Sequence, residues 1–360
     1  MSKVWLITGS GNGLGRDIAE AALAAGESVV AGARRTEELA PLVAQFGERV
    51  KPVRLEVRDE AAAKAAVQLA VDSFGRLDVL VNNAGYGQIA PFEQISAEDF
   101  QAVVDTCFYG VVYTTRAAVP VMRKRKSGHI FQVSSVGGRL GVPGNTPYHA
   151  AKWAVGGFSD SLAMEVAPFG VKICTLEPGG IRTNWARRAG ENMPDLLPDY
   201  EASVGSIHKM LRGLEGRAEG DPRKIAGVIL QLANSDEVPL RLILGVDAEK
   251  RVQQAEAARA NEAEKWRHLT VSTVFEDAES IPELLNHQLT TESRRSGPVK
   301  GRVFRSTQII KLWVSRRASL SGASLLAELA GLRRIPPLAN SRDNLMTIAL
   351  SLWGSMLPAR

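Results

Sequence analysis

The sequence predicts a doubly wound α/β fold: a parallel sheet of seven strands with helices on both faces, followed by a C-terminal extension. Three observations predict it. Short apolar runs alternate with longer amphipathic stretches from Lys3 to about Gly245. Most of the runs are rich in Val, Ile and Leu without polar alternation, as in parallel strands buried on both faces. The first run ends in a glycine-rich turn that opens an Ala-rich helix. Repeated strand–helix–strand units pack as crossovers onto a parallel sheet.

In order, the strand candidates are Val4–Thr8, Ser28–Ala33, Val50–Val57, Leu77–Val81, His129–Ser134, Val171–Leu176 and Leu240–Leu244. Helix-period segments fill Gly13–Ala25, Glu37–Phe46, Glu60–Phe74, Ala97–Arg123, Tyr148–Ala167 and Pro222–Asn234, and a charged, Ala-rich helix is expected over 247–267. Punctuation supports several ends. Gly26 and Gly75 stop the first and third helices. Ser96 caps a helix whose first turn is acidic, and Asp221-Pro222 is a cap followed by a proline at the first helical position. Between 180 and 220 the periodicity fails amid glycines and prolines. That stretch is too long for a simple connector and reads either as a substrate-covering lid or as a structural excursion.

Composition sets the outer limits. The chain has 360 residues, 45% of them hydrophobic and 23% charged, as in an ordinary soluble globular protein. Two cysteines, Cys107 and Cys174, cannot build a disulfide framework. With no signal or spanning segment evident, the expectation is a cytoplasmic protein without a membrane partner. The net charge of +5 does not argue for nucleic acid. Residues 280–360 hold 12 Lys and Arg against 4 Asp and Glu, so the excess belongs to the tail. The domain reading is therefore 1–279 for the main unit and 280–360 for a basic, weakly ordered or partly helical extension. The histidines lack metal-ligand spacing, so no catalytic metal is expected.

The chemistry begins at Thr8-Gly9-Ser10-Gly11-Asn12-Gly13-Leu14-Gly15. A glycine turn between strand and helix lets backbone approach a pyrophosphate, and the helix N-terminus offers N–H donors and a positive dipole end. At the end of the second strand, an acid would favour the ribose hydroxyl of NAD, whereas Arg34 and Arg35 stand there instead. Arginine pairs with the 2′-phosphate of NADP, so NADP(H) is the expected cofactor. Further on, Tyr148 and Lys152 are four apart on one helix face. A nearby ammonium and the oxidised nicotinamide would lower the phenol's pKa from about 10 and let Tyr148 shuttle protons.

With these motifs the chain resembles the short-chain dehydrogenase/reductase family, from roughly residue 3 to residue 277. The resemblance rests on the glycine turn, Asn82-Asn83-Ala84-Gly85, Ser134-Ser135, Tyr148 with Lys152, and Pro178-Gly179 with Thr183, in the family's order and spacing. It implies a Rossmann fold and hydride transfer between a nicotinamide and a small-molecule carbonyl or alcohol. Ser135 would hydrogen-bond the substrate oxygen, with Ser134 the less favoured neighbour. Tyr148 would move the proton, and Lys152 would hold the nicotinamide ribose. The implied cofactor contacts are Thr8, Gly9, Asn12, Gly13, Leu14, Gly15, Arg34, Arg35, Asn82, Ala84, Gly85, Tyr148, Lys152, Pro178, Gly179, Ile181 and Thr183. Relatives pair into homodimers or homotetramers through the helices at 97–123 and 148–167.

Two departures stand out. Cys107 occupies a slot where the family places an asparagine that helps hold a proton-relay water; Cys is a poor donor and acceptor. The expectation is a slowed enzyme, the alternative a cofactor-binding regulatory homologue. Glu56 stands where Asp is more common, with its charge kept. His149 points off the Tyr148/Lys152 face and reads as a packing or surface residue. Glu93, Arg139, Trp185 and Met193 are candidates for the pocket border.

Overall fold

In the computed structural model, which describes residues 2–275 apart from 192, 214 and 215, seven strands form. They are β1 (Val4–Thr8), β2 (Ser28–Ala33), β3 (Val50–Arg54), β4 (Val79–Asn82), β5 (Gly128–Val133), β6 (Val171–Pro178) and β7 (Arg241–Leu244). All pair in parallel in the order β3-β2-β1-β4-β5-β6-β7. The order reverses between β1 and β4, and a sheet of this kind opens a crevice beyond its strand ends at such a reversal.

The helices are α1 (Gly13–Ala24), α2 (Ala40–Phe46), α3 (Glu60–Phe74), α4 (Ala97–Val104), α5 (Gly110–Arg125), α6 (Thr146–Val166), α7 (Trp185–Glu191), α8 (Ser206–Gly213), α9 (Pro222–Ala233), α10 (Val246–Lys265) and α11 (Arg267–Val271). Strand residues alternate between two cores. Trp5, Ile7 and Val29 pack with Ile18 and Leu23 of α1 and Ile225 and Ile229 of α9. Leu6, Val30 and Leu80 face the other way, onto Ala66 and Val67 of α3 and Met122 of α5. Each buried Leu or Ile contributes about 1.5–3 kcal/mol, so both helical layers are needed to cover the sheet.

The expected caps form. Ser96 accepts the Asp99 N–H at 3.0 Å, Asp221 accepts that of Arg223 at 2.9 Å, and Gly75 adopts φ +74°. The main departure is the helix expected over 97–123, which the structure divides. Asp105–Tyr109 form a π-helical turn between α4 and α5. Gly110, which follows this turn, lies so close to Val57 that a Cβ there would stand 2.7 Å from its Cγ2. Such turns recur at functional sites. β3 ends at Arg54 rather than at residue 57, and α6 starts two residues earlier than expected, with Pro147 in its first turn.

Residues Met1–Thr273 form one compact unit. The expectation for the extension at 280–360 lies outside the described residues. Among the described residues no helix is long and apolar enough to cross a membrane.

Candidate active site

A cavity of about 1220 Å³ lies beyond the strand ends. Its wall takes in the turn after β1, Arg34 and Arg35 after β2, the loop after β4, Ser135 after β5 and the start of α6. It continues through Pro178, Gly179, Ile181 and Thr183 after β6.

The turn after β1 needs its glycines. Gly9 and Gly13 take φ +71° and +56°, and a Cβ at Gly15 would collide with the Gly9 carbonyl and the Asn83 amide. Thr8, Gly15 and Asn82 do not line the cavity but brace its wall. Thr8 Oγ1 accepts the N–H groups of Asn83 and Ala84 at 3.0 and 2.9 Å. The Asn82 amide donates to Thr115 Oγ1 at 2.9 Å and Gln132 Oε1 at 2.8 Å, and accepts from the Thr114 hydroxyl at 2.6 Å.

Asn12 caps α1 in position only: its side chain makes no cap hydrogen bond, and the first turn of α1 holds no acid. The helix therefore presents unspent N–H donors and a positive end, a donor set that fits a dinucleotide diphosphate. The two arginines after β2 differ. Arg35 is held by Glu38, with Nε 2.8 Å from Oε1. Arg34 is exposed on the cavity rim and makes no ion pair among the described residues.

Ser135, Tyr148 and Lys152 meet on the opposite wall. Ser135 Oγ accepts the Gly137 N–H at 3.0 Å, and the Ser135 side chain favours the charged form of the Tyr148 phenol. Ser134 turns instead to the Lys152 carbonyl, at 3.3 Å. Buried Lys152 donates Nζ to the Val133 carbonyl at 2.7 Å, and the ammonium lies 5.5 Å from the centre of the Tyr148 ring. Burial, then the Cys107 thiol, push the phenol above its ordinary value, against the opposing pull of Ser135. Sequence reasoning expected Lys152 to bring the phenol down. Among the chain's own groups burial wins, since the ammonium stands over the ring and is bonded to backbone. Burial also holds Lys152 below the usual ammonium range, opposed by Cys107.

Cys107 sits in the π turn, fully buried, with Sγ donating to the Tyr86 carbonyl at 3.2 Å. It packs with Val103, Tyr148 and Ala151. Burial raises its thiol pKa against the pull of Lys152.

Sequence reasoning left the segment 180–220 open between lid and excursion, and the structure brings part of that segment against the cavity. Trp185 of α7 lies against Tyr148, ring centroids 5.1 Å apart, and Ile207, Met210 and Leu211 of α8 line the cavity. Ala189 and Val204 pack on Ile89, beneath Met193 and Leu196. Of the four border candidates only Trp185 lines the cavity. Glu93 accepts from the Tyr200 hydroxyl at 2.7 Å, Arg139 pairs with Glu177 and Glu256, and Met193 packs behind the wall.

His149 does more than fill space. Its Nδ1 lies 2.8 Å from the Gly137 carbonyl and its Nε2 3.2 Å from the Val142 N–H. A neutral ring thus donates at one end and accepts at the other, staking the loop between Ser135 and α6. Its position after Tyr148 gave no sign of this, because both partners come from the loop's fold. Asn145, with a buried carboxamide oxygen that meets no partner, and Arg188, which donates to Asn12 Oδ1 at 2.8 Å, were also missed.

The family model described as short chain dehydrogenase matches residues 3–194. The chain is 49% identical over 274 residues to the oxidoreductase BOA17 of Botryotinia fuckeliana, covering 76% of this chain and 100% of that protein. It is 31% identical over 245 residues to a 3-ketodihydrosphingosine reductase of Bacteroides thetaiotaomicron, covering 68% and 88% of the two chains. Among solved structures, a short-chain dehydrogenase from Streptomyces avermitilis superposes with TM-score 0.71 at 37% identity, over 76% of this chain and all of the other. Fold, site order and relatives agree, and the chain belongs to the short-chain dehydrogenase family as one of its oxidoreductases.

Proposed function

We propose that this oxidoreductase uses NADP(H) to interconvert a ketone or aldehyde and its alcohol, with Ser135, Tyr148 and Lys152 as the proton-transfer site. The observation that carries the reading is that Ser135, Tyr148 and Lys152, with the ammonium over the phenol ring, line one cavity with the glycine turn. Bound there, the nicotinamide cofactor supplies or takes up the hydride. Tyr148 gives its proton to the carbonyl oxygen in reduction and recovers it in oxidation, while the Ser135 hydroxyl holds that oxygen. Lys152 binds the nicotinamide ribose and stabilises the phenolate left when Tyr148 gives up its proton. Arg34, on the rim with no ion pair among the described residues, takes the 2′-phosphate and sets the preference for NADP(H).

The substrate is a small to medium, largely apolar molecule. Ile89, Leu140, Val142, Trp185 and Met210 supply an apolar lining beside Tyr148. The ketone named for the Bacteroides relative is consistent with a reductive direction. We further place the protein in the cytoplasm as a homodimer or homotetramer paired along α5 and α6, where Met164 is 61% exposed on the outer surface.

Cys107 favours a second reading, a weakly active homologue that binds the cofactor chiefly to sense it. NADPH oxidation followed by absorbance over a panel of ketones and aldehydes separates the two. Turnover supports the enzyme; tight NADPH binding without turnover on any member supports the sensor.

A further inference from the structure

We propose that Arg188, carried on the lid helix α7, completes the diphosphate-binding site and ties closure of the lid to cofactor binding. The inference rests on the cofactor reading above and extends it to a residue outside the family motifs identified in the sequence.

Two arginines stand side by side on α7 and behave differently. Arg187 forms an ion pair with Glu191 of its own helix. Arg188 has no carboxylate within ion-pair distance among the described residues. Its Nη2 donates to Asn12 Oδ1 at 2.8 Å, and the side chain lines the cavity. Asn12 is the N-cap of α1, so the guanidinium lies at the positive end of a helix whose first turn holds no acid. A cation there is disfavoured by the helix dipole. Its one bond goes to a neutral amide, which leaves most of its five donors unspent.

An anion with several oxygens relieves both conditions at once. It accepts from the backbone N–H groups at the start of α1 and from the planar guanidinium. The same two segments also approach each other nearby: a Cβ built on Gly13 would stand 3.6 Å from Thr183, which lies two residues before α7. The root of the lid thus passes close to the glycine turn, and Arg188 reaches the turn from the helix that follows. Because α7 also carries Trp185 against Tyr148, capture of the diphosphate by Arg188 holds the lid where it walls the substrate space. Arg34 and Arg188 then read different parts of the dinucleotide, the 2′-phosphate and the diphosphate.

The test is equilibrium binding of NADPH and NADH, followed by nicotinamide fluorescence, to wild type, Arg188→Gln and Arg187→Gln. Loss of a charge-assisted contact to the shared diphosphate raises both dissociation constants by the same factor, about tenfold or more in Arg188→Gln. Arg187→Gln leaves both unchanged. Arg188→Lys, which keeps the charge without the planar fork, falls between wild type and Arg188→Gln. NADPH also protects the trypsin sites at Lys209 and Arg212 in wild type and not in Arg188→Gln. Unchanged affinities in Arg188→Gln, an effect on NADPH alone, or an equal effect of Arg187→Gln each overturn the inference. Failure of wild type to bind either nucleotide removes the cofactor reading, and this inference with it.

Discussion

Lys152 lies one helical turn beyond Tyr148, its ammonium 5.5 Å from the centre of the phenol ring and 2.7 Å from the Val133 carbonyl. The lysine is fastened to the end of β5, the strand that leads into Ser135. Sheet and helix together therefore set the spacing of all three groups, while burial keeps the phenol protonated until charge arrives beside it. Lys152→Met should lower turnover by about 10²-fold or more while leaving the fold intact. Steady-state kinetics with thermal unfolding as a control checks this.

The raised phenol has a directional consequence. Reduction needs the protonated form and should be nearly flat across neutral pH. Oxidation needs the phenolate, and because burial lifts the pKa, its rate should climb as pH rises through the alkaline range. Initial rates in both directions between pH 6 and about 10, the ordinary phenol value, test the sign.

Arg34 makes no ion pair among the described residues, whereas Arg35 is engaged by Glu38. Arg34→Ala should therefore weaken NADPH by about 1.5–3 kcal/mol, the range for a hydrogen bond to a charged group, and change NADH little. Titration with both nucleotides reads the difference directly.

Cys107 donates to the Tyr86 carbonyl from inside the π turn. Cys107→Asn should raise turnover, because an amide is a stronger donor and acceptor than a thiol. An unchanged or lower rate would remove the idea that this cysteine slows the enzyme. The thiols should also be inert in the native state. Burial raises Cys107 and pushes Cys174 up to about 12, so a disulfide reagent at pH 8 should react only after unfolding.

His129 on β5 stacks on Phe131, and burial lowers its pKa from 6.5 to about 4. The unfolded chain takes up this proton first as pH falls. The corresponding stability is complete above about 6.5 and is lost on descending toward 4. His149, lowered by burial as well, acts in the same sense. The unfolding temperature should fall between pH 7.5 and pH 5 by less in His129→Phe than in wild type; an equal fall would show that His129 does not contribute.

The sheet and the main site were legible because local demands fix them. Gly9 and Gly13 are required by left-handed backbone, and Tyr148 and Lys152 share a face by helix period alone. What escaped depends on the fold bringing distant segments together. The staking of Gly137 and Val142 by His149 follows from the path of the loop before α6. Arg188 became visible only when the lid was laid against Asn12, since two consecutive arginines on a short helix look alike in sequence.

The measurement that bears most directly on the central claim is NADPH oxidation by wild type and Tyr148→Phe, with NADPH binding recorded for both. The account predicts turnover of a carbonyl substrate by wild type, a loss of about 10²-fold or more in the variant, and similar NADPH affinity in each. Equal turnover by Tyr148→Phe would contradict it.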